Sequence, residues 1–267
     1  MHPLGTLQRG LGDLGRAGLQ WSASWWSVVH VGALTLVLAL SPSSYRRENR
    51  SALARHVVFA TAPHLLGFTL LSALISVVLA RILVVTAAGY GLSQYALEMV
   101  VRVLVLELIP LTAALFVALR CTVPSGAELT ELHARGAFDA QIERGLDPLR
   151  HELLPRVVAG IFAVLLLAAI SCALALVIAY VAVYGAAAGG FGGFTRTVGR
   201  VFEPGVAAVF AVKTLLFGLA VSLIPVAAFL RGPRAPRSRT RAELDGLVRM
   251  FTVILLIEIG ALMTNYA

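Results

Sequence analysis

Five long apolar runs constrain this chain more than any motif in it. They cover about Val57 to Ala87, Tyr95 to Leu119, Val157 to Tyr184, Val206 to Leu230 and Leu247 to Met263. A helix needs about 20 mainly apolar residues to cross about 30 Å of hydrocarbon, with its backbone polar groups satisfied inside the segment. A membrane strand needs only about 10 residues, but it alternates polar with apolar. These runs do not alternate, so each predicts a transmembrane helix. The expected fold class is an all-α integral membrane protein, with residues 1–267 forming one membrane domain of five spans.

Composition agrees. Hydrophobic residues make up 58% of the chain and charged residues 13%, about half the charged share of a soluble domain. Ordinary soluble enzymes, disordered chains and secreted disulfide scaffolds are excluded. Cys121 and Cys172 make no disulfide framework and read as small hydrophobes. The net charge of +8 comes with 21 arginines and one lysine, Lys213. In a soluble chain that excess would suggest nucleic acid as a partner. Here it follows the rule that basic loops face the cytoplasm, and no nucleic-acid partner is expected.

The basic loops set an orientation. Arg46, Arg47, Arg50 and Arg55 precede span one. Arg120, Arg135, Arg144, Arg150 and Arg156 lie between spans two and three. Arg231, Arg234, Arg237, Arg239 and Arg241 lie between spans four and five. The N-terminus is therefore expected inside and the C-terminus outside. A sixth apolar stretch, Ser27 to Leu40, has 14 residues and follows Trp21, Trp25 and Trp26. It is short for a crossing, and the tryptophans mark an interface. Residues 5–40 are read as an interfacial or elbow helix, with the choice between crossing and merely dipping left open. No cleaved signal peptide is expected, because the stretch starts late and no A-x-A site follows.

Residues 120–156 form the one sizeable polar segment. Within it, 127–144 read as a single amphipathic helix, capped by Ser125 with Glu128 as capping-box partner and ended by Gly145. Glu131, Arg135, Asp139 and Glu143 recur every four residues as a charged stripe. Ala134, Phe138 and Ile142 make an apolar stripe beside it. Such a helix is either a solvated connection or a docking element for a soluble partner.

Spacing of motifs across this region points further. Glu107 and Pro110 stand as E-x-x-P, followed by Arg120, Ala127-Glu128-Leu129, Asp147-Pro148-Leu149-Arg150 and Pro155-Arg156. In that order, without gaps, they resemble the central segment of MlaE-type (YrbE) permeases, the membrane subunits of ABC transporters that work with MCE proteins. Leu14-Gly15-Arg16-Ala17-Gly18 is similar to the family's N-terminal interfacial helix, and Val212-Lys213-Thr214-Leu215-Leu216-Phe217-Gly218 to its K-S-x-x-F-G in span four. Three departures stand out. The family's A-G-R-x-G-S is here Ala118-Leu119-Arg120-Cys121-Thr122-Val123, an acidic position of its coupling helix falls on Gly136, and another polar one on Ile142.

The resemblance implies a permease subunit that moves phospholipid or another hydrophobic lipid between the bacterial inner membrane and an extracytoplasmic MCE-domain protein. It implies a separate ABC ATPase subunit, a second permease copy or paralogue, and a STAS-type accessory protein. The chain itself would be no enzyme and carry no cofactor, ATP being bound by the ATPase. By resemblance, Tyr90, Glu107 and Lys213 line a lipid cavity. The ATPase would be met by the 127–144 coupling helix and the turn after it, through Glu128, Glu131, Arg135, Phe138, Asp139, Glu143, Asp147 and Pro148. No metal site is expected.

The residues themselves carry part of this. The glycine-rich run Gly185 to Phe194 lacks G-K-[ST] and follows no strand, so it is no phosphate-binding loop and is expected to end span three. Ionisable groups inside spans are costly and mark function by default. Glu98 and Arg102, four apart, are expected to pair. Glu107 lies nine residues from Glu98 and so faces elsewhere. Lys213 reads either as a snorkelling lysine or as a cation required by geometry. Glu258 is expected to be packed or paired, and His64 to be a satisfied core histidine. Two rival functions remain at this level: a non-transporting scaffold or degenerate half of a heterodimer, and a secondary transporter, which would need discontinuous helices or repeated halves, whereas the sequence shows no internal repeat and five spans do not divide evenly.

Overall fold

The computed structural model describes residues 26, 30–35, 37, 47–145, 147–185, 188–230 and 236–266. Among them every regular element is helical. Helix α1 spans Arg47–Gly89. A short 3-10 turn, Ser93–Tyr95, leads into α2 (Ala96–Val100), a π-helical stretch Val101–Leu108, α3 (Ile109–Val117), a second π stretch Ala118–Thr122, and α4 (Val123–Ala134). Then come α5 (Ala137–Glu143), a third π stretch Leu149–Leu153, and α6 (Leu154–Tyr184). After a 3-10 turn at Ala188–Gly190, the chain ends in α7 (Phe191–Val201), α8 (Pro204–Leu230) and α9 (Pro236–Tyr266).

Five of these segments are long and apolar enough to cross a membrane: Thr61–Gly89, Ser93–Ala134, Leu149–Tyr184, Pro204–Ala227 and Leu244–Asn265. All five runs in the sequence thus become helices. The second differs in extent. The apolar run stops near Leu119, but the helix continues without a break to Ala134. Ser125 is therefore no cap; it lies inside α4.

The single helix expected over 127–144 is two. Helix α4 ends at Ala134, Gly136 turns left-handed at φ 72°, and α5 starts at Ala137. Glycine is the residue that adopts this conformation without steric cost. The turn interrupts the four-residue stripe. Glu131 and Arg135 pair across one turn, while Asp139 and Glu143 stand exposed on α5. Ile142, assigned to an apolar stripe, is 60% exposed.

The three π stretches share one cause. Each ends two residues before a proline: Pro110, Pro124 and Pro155. The residue just before each proline donates its N–H five residues back, Ile109 to Leu104, Val123 to Ala118 and Leu154 to Leu149. A proline in a helix offers no N–H, and its ring crowds the carbonyl four residues back. Widening the preceding turn relieves that crowding and keeps the helix running.

Three apolar clusters hold the bundle. The central one joins Phe68 of α1, Ala113 and Val117 of α3, Val164 and Leu167 of α6, Phe217 and Val221 of α8, and Met250 and Ile254 of α9. Small residues let α6 and α8 approach closely, as is usual between helices in lipid. A methyl group added at Gly160 would stand 2.4 Å from Ser222 Oγ, and one at Gly218 would stand 3.3 Å from the Cα of Ile161. His64 sits edge-on to Phe116 at 6.2 Å, within this layer.

The second cluster, around Leu97, Val100, Leu104, Cys172 and Ala175, lies toward the end where α1 turns into the second span. The third, at the end carrying α4 and α5, joins Leu129, Leu153, Val157, Val226 and Ala227 with Val31. Most of the proposed 5–40 helix lies outside the described residues; 30–35 are helical, and Val31 packs into this third cluster.

Helix α7 was not expected. The glycine run does end α6, at Gly185 with φ 67°, but a new helix starts at Phe191. Its Phe194, Val198 and Val201 edge packs on the second cluster, beside the ring of Tyr180. Glycine at 190 has a steric reason: a Cβ there would lie 2.6 Å from the Tyr184 ring.

Candidate functional site

Lys213 sits in the tenth position of α8 and is 2% exposed. It does not snorkel. Its ammonium donates a hydrogen bond to Glu107 Oε2 and lies 3.4 Å from Glu258 Oε2. Three spans, the second, fourth and fifth, therefore meet at one buried charge cluster. Two carboxylates face one ammonium, so with every group ionised the cluster carries one negative charge. Glu107 Oε1 is buried and has no hydrogen-bond partner among the described residues.

Local structure explains the convergence. Glu107 occupies the seventh position of the π stretch Val101–Leu108, three residues before Pro110. It turns away from Glu98, as nine residues of helix dictate. Glu98 instead receives Arg102 Nε at 3.0 Å, in a partly exposed pair one turn apart. Glu258 is 9% exposed on α9. An ammonium buried in hydrocarbon without a partner would be costly, and so would either carboxylate. Each supplies what the other lacks.

Tyr90 is not part of this cluster. It follows the end of α1, at the turn into the second span, and is 79% exposed. Of the three residues expected around one cavity, the structure brings Glu107 and Lys213 together, adds Glu258, and leaves Tyr90 at the surface. Glu258 was singled out in the sequence as an ionisable group inside a span, but nothing there named its partner.

At the other end, the residues expected to meet an ATPase are spread over α4, α5 and the turn after it. Glu128 is largely exposed, with Oε2 3.7 Å from Arg156 Nη2. Glu131 pairs with Arg135. The Phe138 ring tilts against His133 at 5.6 Å across the Gly136 turn. Asp139 and Glu143 project from α5. Asp147 accepts the Leu149 N–H at 3.0 Å and lies 3.3 Å from Arg150, and Pro148 follows it at the start of the third π stretch. Asp147 and Pro148 thus form the turn that returns the chain to α6. Glu152, given no role by the sequence, and Arg156, read there only as a basic loop residue and a motif position, are more deeply placed here than any of these acids.

No curated protein matches the chain. The family model described as permease MlaE matches residues 53–263, from the first span to the end of the fifth. That stretch holds the whole charge cluster, both short helices and their return turn, and the chain belongs to the MlaE permease family.

Proposed function

We propose that this chain is the permease subunit of an ABC-type transporter that moves phospholipid or another hydrophobic lipid between the inner membrane and an MCE-type extracytoplasmic partner. Family membership makes it an ABC-type permease subunit, a transport component rather than a catalytic enzyme. The lipid and the MCE partner are the further step. The observation that carries it is the Lys213–Glu107–Glu258 cluster, a buried charged patch inside a largely apolar bundle. A lipid has the matching division, with apolar chains that need no partner and a headgroup that does. In this reading the cluster holds the headgroup and Tyr90 stands at the mouth of the path. A second copy or paralogue completes the cavity, and α4, α5 and the Asp147-Pro148 turn contact a separate ATPase. A STAS-type protein would be an accessory. The basic segments face the cytoplasm and the C-terminus the outside.

The test is mild purification from the native membrane, with mass spectrometry of co-purifying subunits and lipids. An ATPase, an MCE-domain protein and bound lipid together support the reading. Partners without lipid, and no lipid movement in liposomes, would favour a scaffold. Purification with neither partner would overturn it.

A further inference from the structure

Four side chains, from α4, α5, the third π stretch and α6, meet at the base of α6. Gln141, on α5, donates from Nε2 to Glu152 Oε1 at 3.2 Å. Arg156, in the first turn of α6, donates from Nη1 to Glu152 Oε2 and to the Glu152 carbonyl oxygen at 2.8 Å. Its Nη2 lies 3.7 Å from Glu128 Oε2 on α4. The Arg156 side chain is 9% exposed and that of Glu152 22%. Glu152 thus uses one carboxylate oxygen for α5 and the other for the third span. Glu152 itself lies in the π stretch Leu149–Leu153, whose widened turn precedes Pro155.

We infer that Glu152 is a positioning residue that clasps the α4–α5 segment to the base of the third span. Charge-assisted hydrogen bonds are the strong ones, and this one is sheltered from water. The other ion pair of α4, Glu131–Arg135, is exposed and internal to that segment, so it fixes nothing to the bundle. Apolar contacts of Leu129, Phe138, Leu149 and Leu153 seat the segment on the third cluster but are not directional. The Gln141–Glu152–Arg156 chain supplies direction. A displacement of α5 is delivered to α6 as a pull on its first turn. The inference rests on the reading of α4 and α5 as the ATPase contact.

The experiment uses the permease with its co-purified ATPase in liposomes carrying a fluorescent phospholipid. Lipid moved and ATP hydrolysed are measured together for Glu152→Ala, Glu152→Gln and Gln141→Ala. Gln141→Ala cuts only the α5 arm and leaves Arg156 paired, so it guards against a variant that fails to fold. Complexes should assemble and hydrolyse ATP, while lipid moved per ATP falls by about fivefold or more, the low end of ordinary coupling between sites. Glu152→Gln, which keeps the shape and one acceptor oxygen, should lose less than Glu152→Ala. An unchanged ratio in assembled complexes would overturn the inference, and so would equal loss of both activities. If the wild-type complex moves no lipid, the proposed function fails instead. The clasp is then decided by spin labels at the exposed Ile142 and Phe162. Gln141→Ala should broaden their distance distribution, and an unchanged distribution counts against it.

Discussion

Replacing Lys213 by Met keeps the length of the side chain and removes its charge. Glu107 and Glu258 would then face each other without a cation, their side chains only 12% and 11% exposed. Removing one partner of a buried ion pair costs about 3–5 kcal/mol, because the remaining charge is left uncompensated. At roughly 2–4 °C per kcal/mol for a chain of this size, the midpoint of thermal unfolding should fall by about 6–20 °C. Neutralising the acids as well reverses the argument. The triple variant Lys213→Met, Glu107→Gln, Glu258→Gln has no buried charge to strand. It should melt above the single variant, although it has lost more native groups. The assay is thermal unfolding in detergent, followed by the fraction that remains monodisperse. A single variant that melts within about 2 °C of wild type would refute the reasoning, since that corresponds to at most about 1 kcal/mol. A triple variant less stable than the single one would also refute it, because the penalty would then not be electrostatic.

Gly160→Val should destabilise by about 1–3 kcal/mol, as overpacking does, because a Cβ there already meets Ser222 Oγ at 2.4 Å and Thr122 Cγ2 at 3.0 Å; an unchanged melting temperature would show that α6 and α8 yield freely. Arg135→Glu should leave stability within about 1 kcal/mol, since its pair with Glu131 is exposed, yet weaken ATPase co-purification; an intact complex would remove Arg135 from the contact. Single cysteines in place of Ile142 and Thr195, with Cys121 and Cys172 replaced by Ala, should react with impermeant reagents from opposite sides of the membrane, Ile142→Cys from the cytoplasm; labelling from one side would overturn the topology.

The sequence made the spans legible because membrane helices are written in composition, residue by residue. It also showed that Glu107 must leave the face of Glu98. What it concealed were relations set by packing. Lys213 and Glu258 are 45 residues apart in sequence, and only the docking of α9 on α8 makes them neighbours. The break at Gly136 was masked by a four-residue charge repeat that continues through it. That repeat reflects solvent exposure on both sides of the turn rather than one helix. Helix α7 was hidden by glycines at 192, 193 and 199, which carry low helix propensity and are outweighed by packing of Phe194, Val198 and Val201. The joining of Glu152 to Gln141, 11 residues earlier, depends on how α5 packs beside the base of α6, which periodicity does not foresee.

The unbroken helix from Ser93 to Ala134 has a geometric consequence. Its 42 residues amount to a shaft of roughly 60 Å, about twice the hydrocarbon thickness. Some 40 Å of it separates Ala134 from Glu107. The end of the span beside α5 and Glu107 are thus joined by continuous helix, with no loop between them. The irregular points of that rod are the two widened turns before Pro110 and Pro124. One lies at Glu107 itself and the other nearer the end beside α5. Between them runs one short stretch of regular α-helix, Ile109–Val117, through which the end beside α5 is linked to the charge cluster along this span.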